Sequence, residues 1–207
     1  YDNRKAERVI ALENEIDRYE DELGTYMVKL SQQQLSETDS HRLSVILHCL
    51  SDFERISDHA VNLIESAQEM KEKGQDFSKK AKEELAVFSQ AVKDIVAVSF
   101  DVFEKEDLTR AAYVEPLEEV IDELQAEVKK RHVKRLQKGK CTIEMGFVLS
   151  DVVTSYERIS DHCSNIAVCL MQVDQDNYDT HGSLNDMKHN EFFNNQYNVY
   201  KEKYLLP

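Results

Sequence analysis

Apolar residues recur along this chain at steps of three and four, the spacing that lays them on one face of a helix. Val9, Leu12, Ile16, Tyr19, Leu23, Tyr26, Met27 and Leu30 form the first such stripe and predict a helix from about Ala6 to Gln33. Ser36-Glu37-Thr38-Asp39 has the form of a capping box and starts a second helix that ends near Gly74. Ser78 can cap a third, which continues through Leu85, Phe88, Val92, Ile95, Phe100 and Phe103. Leu117, Val120, Ile121, Leu124 and Val128 mark a fourth, with Pro116 either in its first turn or kinking a longer helix. The turn Gln137-Lys138-Gly139-Lys140 leads into a fifth, from roughly Thr142 to Val173. Asp174 to Ser183 reads as a loop, and Ser183-Leu184-Asn185-Asp186 can cap a sixth, tyrosine-rich helix.

Composition agrees with long helices. Five glycines and two prolines in 207 residues are too few turn residues for many short strands, while 41% hydrophobic residues can form a core. The expected fold class is all-α. A formal charge of −14 repels phosphate backbones and anionic lipid, which excludes nucleic acid as a default partner and favours cations. The longest apolar runs, such as Ile166 to Met171, fall well short of the ~18 to 20 residues that span a bilayer. No signal peptide is visible, and Tyr1 opens within a stretch that already reads as helix, so a piece of a longer protein is expected. Cys49, Cys141, Cys163 and Cys169 show no framework spacing and are expected as reduced, mostly buried thiols.

Internal repetition is the most informative feature. Glu54-Arg55-Ile56-Ser57-Asp58-His59 returns as Glu157-Arg158-Ile159-Ser160-Asp161-His162, and Asn62 and Asn165 follow at the same distance. Upstream, Leu12-Glu13 with Ile16-Asp17 returns as Leu117-Glu118 with Ile121-Asp122. The chain thus divides into two units, 1–105 and 106–207, each expected to hold three helices. Each unit carries two Glu-x-x-x-Asp pairs on consecutive helices.

Residues four apart on a helix share a face, with Cβ atoms roughly 5 to 6 Å apart. One acidic pair among 40 acidic residues means little, since a solvated helix face gives the same pattern. Here the pairs recur in both units within an identical hexapeptide. Glu54 and Asp58 also project into the arc of Leu43, Leu47, Leu50 and Val61, so they are expected at the core, where like charges need protonation, a cationic partner or a metal. Oxygen ligation suits magnesium, calcium or manganese, and carboxylate-bound iron also occurs in helical bundles. His59 and His162 stand five residues after the Glu, point away from it, and are expected to hydrogen-bond a neighbouring helix. Arg55 and Arg158 are expected in salt bridges between helices. Asn62 and Asn165 continue the stripe as possible further polar ligands or as helix-to-helix hydrogen bonds. No Ser/His/Asp set, reactive Cys motif or Gly-rich phosphate loop supports catalysis, so no enzyme is expected. The other readings weighed are a carboxylate-bridged metal enzyme and a bare helical scaffold.

The segments Phe53 to Asn62 and Tyr156 to Asn165 resemble the duplicated signature of the PhoU family. That resemblance covers nearly the whole chain. It implies two three-helix bundles side by side, with clusters of divalent or trivalent metal ions (iron, zinc, magnesium, manganese or calcium). The ligands it implies are Glu13, Asp17, Glu54 and Asp58 in one unit and Glu118, Asp122, Glu157 and Asp161 in the other. The entry Cys141 to Phe147 and the ending Tyr200 to Pro207 further resemble the cytosolic tail of bacterial sodium/phosphate cotransporters. This implies a regulatory domain at the cytoplasmic face of the membrane, with the transporter's membrane domain as partner in the same full-length chain and a homodimer as a further possibility. The alternative within the family is a free-standing regulator of the high-affinity phosphate transporter and its sensor kinase.

Overall fold

The computed structural model describes residues 1–174 and 190–207, and all regular structure among them is helical. The helices are α1 (Asn3–Ser31), α2 (Glu37–Glu72), α3 (Lys79–Lys105), α4 (Leu108–Ala111), α5 (Val114–Gln137), α6 (Ile143–Asp174) and α7 (Glu191–Lys203). Except for α5, which follows Tyr113 and has no side-chain cap, their starts follow polar residues that can accept the first free N–H groups. The Ser36 hydroxyl accepts from Asp39 N–H at 3.0 Å and Ser78 from Ala81 N–H at 3.3 Å, as the sequence led us to expect. Gly74 and Gly139 close α2 and α5 with φ of 60° and 62°, a left-handed conformation that glycine adopts without a Cβ clash.

Two local features differ from the sequence reading, and Pro116 takes one of the two places expected of it. A short helix, α4, fills the connection between α3 and α5, capped by Asp107 and preceded by Glu106 at φ 51°. Pro116 lies in the first turn of α5, where its missing N–H has no helical partner to lose. The expected loop from Asp174 and the cap at 183–186 fall, beyond Asp174 itself, outside the described residues. The last helix begins later, at Glu191, where Asn190 accepts from Phe192 N–H at 3.0 Å.

α2 and α6, the two helices with the repeated hexapeptide, pack along each other at the centre of the molecule. α1 lies on α2, whereas α3 crosses over to pack on α6 and α5. Phe53 of α2 reaches it edge-on through Phe100 and Phe103, at ring separations of 5.1 and 4.8 Å. α7 lies on the outer side of α5, where Lys201 bonds Glu123 and Lys203 bonds Asp94 of α3. The hydrophobic core is therefore centred on α3, α5 and α6, with Phe88, Ile95, Leu117, Ile121, Leu149 and Ile166 fully enclosed.

Candidate metal centres

Each acidic pair sits one helical turn apart on a seam between two helices. Where α1 lies on α2, carboxylate oxygens of Glu13, Asp17 and Asp58 all come within 4.8 Å of one another. Glu54 adjoins them, within hydrogen-bonding reach of Asp58 and inside the field of Asp17. Where α5 lies on α6, Glu118, Asp122 and Asp161 gather within the same 4.8 Å, and Glu157 adds its charge beside Asp161. All eight residues singled out in the sequence thus fall into two corresponding clusters.

Crowding like charges raises the cost of ionisation. Partial burial, then Glu157 and Asp122, push Asp161 up to about 6. Partial burial and Asp17 and Asp58 raise Glu13, while burial and Asp58 raise Glu54. A hard cation shared by these oxygens would remove the same repulsion, and a donor set made wholly of carboxylates suits one. The residues present fit such an ion.

Several neighbours differ from their expected roles. Glu54 and Asp58 are not enclosed in the core; they lie at its half-exposed edge, because the seam with α1 has no third helix laid over it among the described residues. Among the described residues, Arg55 and Arg158 form no ion pair between helices. Each turns back along its own helix, with Arg55 Nε 3.5 Å from Glu54 and Nη1 3.7 Å from Asp58, and Arg158 Nε 3.5 Å from Glu157 and Nη1 3.2 Å from Asp161. One guanidinium therefore partly balances each cluster.

The two histidines and Asn165 belong to the α2–α6 contact. His162 Nδ1 donates to Asp52 Oδ1 at 2.8 Å, the expected bond to a neighbouring helix, and Asn165 Nδ2 donates to the same oxygen at 3.2 Å. His59 stacks on His162 with ring centroids 5.9 Å apart, and its partner Asn62, at 3.4 Å, is on its own helix. Asp52 was not singled out in the sequence, since Ser155 stands at its place in the second unit and the repeat does not mark it.

Comparison with known proteins agrees with this arrangement. The family model described as PhoU domain matches residues 1–67 and 85–170. The chain is similar to the phosphate-specific transport system accessory protein PhoU homolog 1 of Thermotoga maritima, 29% identical over 121 residues, which are 58% of this chain and 51% of that one. It thus spans about half the length of that relative. It is also similar to the phosphate-specific transport system accessory protein PhoU homolog of Deinococcus radiodurans, 26% identical over 165 residues, covering 77% and 74% of the two chains. Among solved structures, PhoU from Pseudomonas aeruginosa superposes with a TM-score of 0.77 over 83% of this chain and 82% of that one at 22% identity, a likeness of fold.

Proposed function

The chain belongs to the PhoU domain family, and from that premise we propose that it regulates phosphate transport by contact with a transporter, its two carboxylate clusters loaded with metal cations. The observation that carries this reading is the duplicated cluster: three carboxylates within 4.8 Å, twice, on seams that join the paired helices of each unit. Bound cations would supply charge neutralisation there, tying α1 to α2 and α5 to α6 into a stiff platform. Both relatives are named as accessory proteins of a phosphate-specific transport system, which favours the accessory role over the tail of a sodium/phosphate cotransporter. Binding and regulation, without catalysis, is the proposed activity.

Two measurements test it. Elemental analysis of protein purified without added metal should find cations, and an Asp58→Asn, Asp161→Asn double variant should hold less. In cells lacking the gene, phosphate uptake should lose its response to phosphate supply, and the wild-type gene should restore that response. Metal-free protein, or uptake indifferent to the deletion, would refute the corresponding half of the reading.

A further inference from the structure

Three of the four cysteines lie on the two central helices, and two of these face each other across the α2–α6 contact. The helices run antiparallel there. Asp52 of α2 meets His162 and Asn165 of α6, at 2.8 and 3.2 Å, while Val45 and Ile46 share a cavity of about 360 Å³ with Leu170. Val45, Cys49 and Asp52 follow one another at steps of four and three, and His162, Asn165 and Cys169 at steps of three and four, so each set lies along one face of its helix. Cys49 is thus one turn from Asp52 toward that cavity, and Cys169 one turn from Asn165 in the same direction. The two thiols meet at that level, within hydrogen-bonding reach of each other. The repeat does not supply this pair: Val152 stands at the place of Cys49 in the second unit, and Ser66 at the place of Cys169 in the first.

The surroundings of the two sulfurs differ. Cys49 is fully buried within the hydrophobic core, whereas Cys169 packs at its edge and is part-exposed. The Cys49 thiol donates to Cys169, and this bond together with burial holds Cys49 well above the ordinary thiol range. The same bond draws Cys169 below that range, against the opposing effects of burial and Asp52. Thiolate is the attacking form, so Cys169 is the more reactive sulfur and Cys49 its protonated neighbour. Cys163, on the same helix, has neither advantage. It is wholly enclosed, burial pushes it up to about 12, and its carbonyl accepts from the Ser99 hydroxyl of α3 at 3.1 Å.

We propose that Cys49 and Cys169 form a peroxide-sensitive dithiol, closed by hydrogen peroxide to a disulfide that staples α2 to α6 and so joins the two units covalently. In the first step the Cys169 thiolate attacks one peroxide oxygen and the O–O bond breaks. The departing hydroxide takes up a proton and leaves as water, and Cys169 becomes a sulfenic acid. In the second step the Cys49 sulfur attacks the sulfenic sulfur, the S–O bond breaks, and the hydroxide leaves as water with the Cys49 proton. Two thiols are oxidised, one peroxide is reduced to two waters, and a thiol reductant reopens the bridge by exchange. The carboxylate clusters take no part, and the inference does not rest on the regulatory reading.

The test is to expose the intact, folded chain to a small excess of hydrogen peroxide, block the remaining thiols by alkylation, and map the peptides without reduction. Free thiols should fall from four to two per chain, with the Cys49 peptide joined to that of Cys169, and dithiothreitol should restore all four. Bridging should outpace oxidation of Cys163 by roughly tenfold or more. In Cys49→Ala the sulfenic acid on Cys169 has no partner and should be trapped by dimedone. In Cys169→Ala, Cys49 should stay reduced under the same treatment. Cys169→Ala changes a part-exposed position, so it keeps the test decisive if the core change at Cys49 prevents folding. Four free thiols after peroxide treatment, a bridge through Cys141 or Cys163, or a bridge between two chains would overturn the proposal. So would dimedone-labelled Cys169 without a bridge in the unaltered chain, or oxidation of Cys49 undiminished in Cys169→Ala.

Discussion

Leu12, Tyr19 and Leu23 on α1 occupy the same places in the repeat as Leu117, Leu124 and Val128 on α5, yet the two sets live in different surroundings. The first three are 39%, 49% and 45% exposed, the second three 1%, 6% and 0%. Sequence pattern is the same; coverage is not. α5 has α6 on one side, α3 on another and α7 on its outer face, while α1 rests on α2. The only residue of α1 classed as buried is Ala6, against nine in α5. An apolar stripe therefore marks a face able to be buried, and the path of the third helix decides whether it is.

The largest effect expected from this contrast is in the core. Leu117→Ala should lower unfolding free energy by about 2 to 5 kcal/mol, because it removes a fully enclosed side chain and leaves a cavity. Leu12→Ala, at the matching place, should cost less than about 1 kcal/mol. Equal losses in denaturant titrations of the two variants would show that α1 is covered in solution by something outside the described chain, such as a second copy.

The α2–α6 contact breaks the symmetry in the other direction, by a polar residue present in one unit alone. Asp52 accepts from both His162 and Asn165, so Asp52→Ala strands the part-buried His162 donor and leaves the exposed Asn165 amide to water. A loss of roughly 1.5 to 3 kcal/mol follows from hydrogen bonds to a charged acceptor. Ser155→Ala, at the corresponding site, should cost less, and thermal melts of the pair compare them directly.

The acidic clusters differ more gently. Asp161 has a folded pKa of about 6, above the ordinary 3.8, so without cations its contribution to stability is full below 3.8 and is lost as the pH rises through about 6. In chelated protein, Asp161→Asn should be more stable than the parent at neutral pH, on the order of 1 to 2 kcal/mol after allowance for solvent screening. That advantage should shrink as the pH falls toward 4. A gap unchanged across this range would mean that Asp161 ionises as an ordinary surface carboxylate.

Much of this was legible in the sequence, for physical reasons that can be named. Caps at Ser36 and Ser78 are local chemistry, and the four-residue spacing of Glu13 with Asp17 and of Glu54 with Asp58 fixes which carboxylates share a face. The repeat then identified the matching set in the second unit. What stayed hidden depended on tertiary paths. Nothing in the stripe of α3 tells whether it covers its own unit or crosses to α5 and α6, so the half-exposed setting of Glu54 and Asp58 did not follow from their helical angle. Arg55 and Arg158 were readable in principle: each follows its Glu by one residue and precedes its Asp by three, close enough to fold back along the same helix.

The smallest expected effect falls where the two units agree. Arg55 and Arg158 hold their Glu and Asp in the same fork, with Nε at 3.5 Å from the Glu in both cases. Both guanidinium groups are more than half exposed, so each pair contributes at most about 1 kcal/mol. Arg55→Gln and Arg158→Gln should therefore destabilise chelated protein slightly and by similar amounts, since each removes a guanidinium charge beside a group of repelling carboxylates. With cations present the sign should reverse. A cation and the arginine compete for the same oxygens, so removing the arginine should tighten metal binding, which equilibrium titration of each variant against a metal indicator measures. Weaker binding in both variants would mean that the arginines position the carboxylates for the ion and do not oppose it. A change in one variant alone would show that the clusters work differently despite their shared geometry.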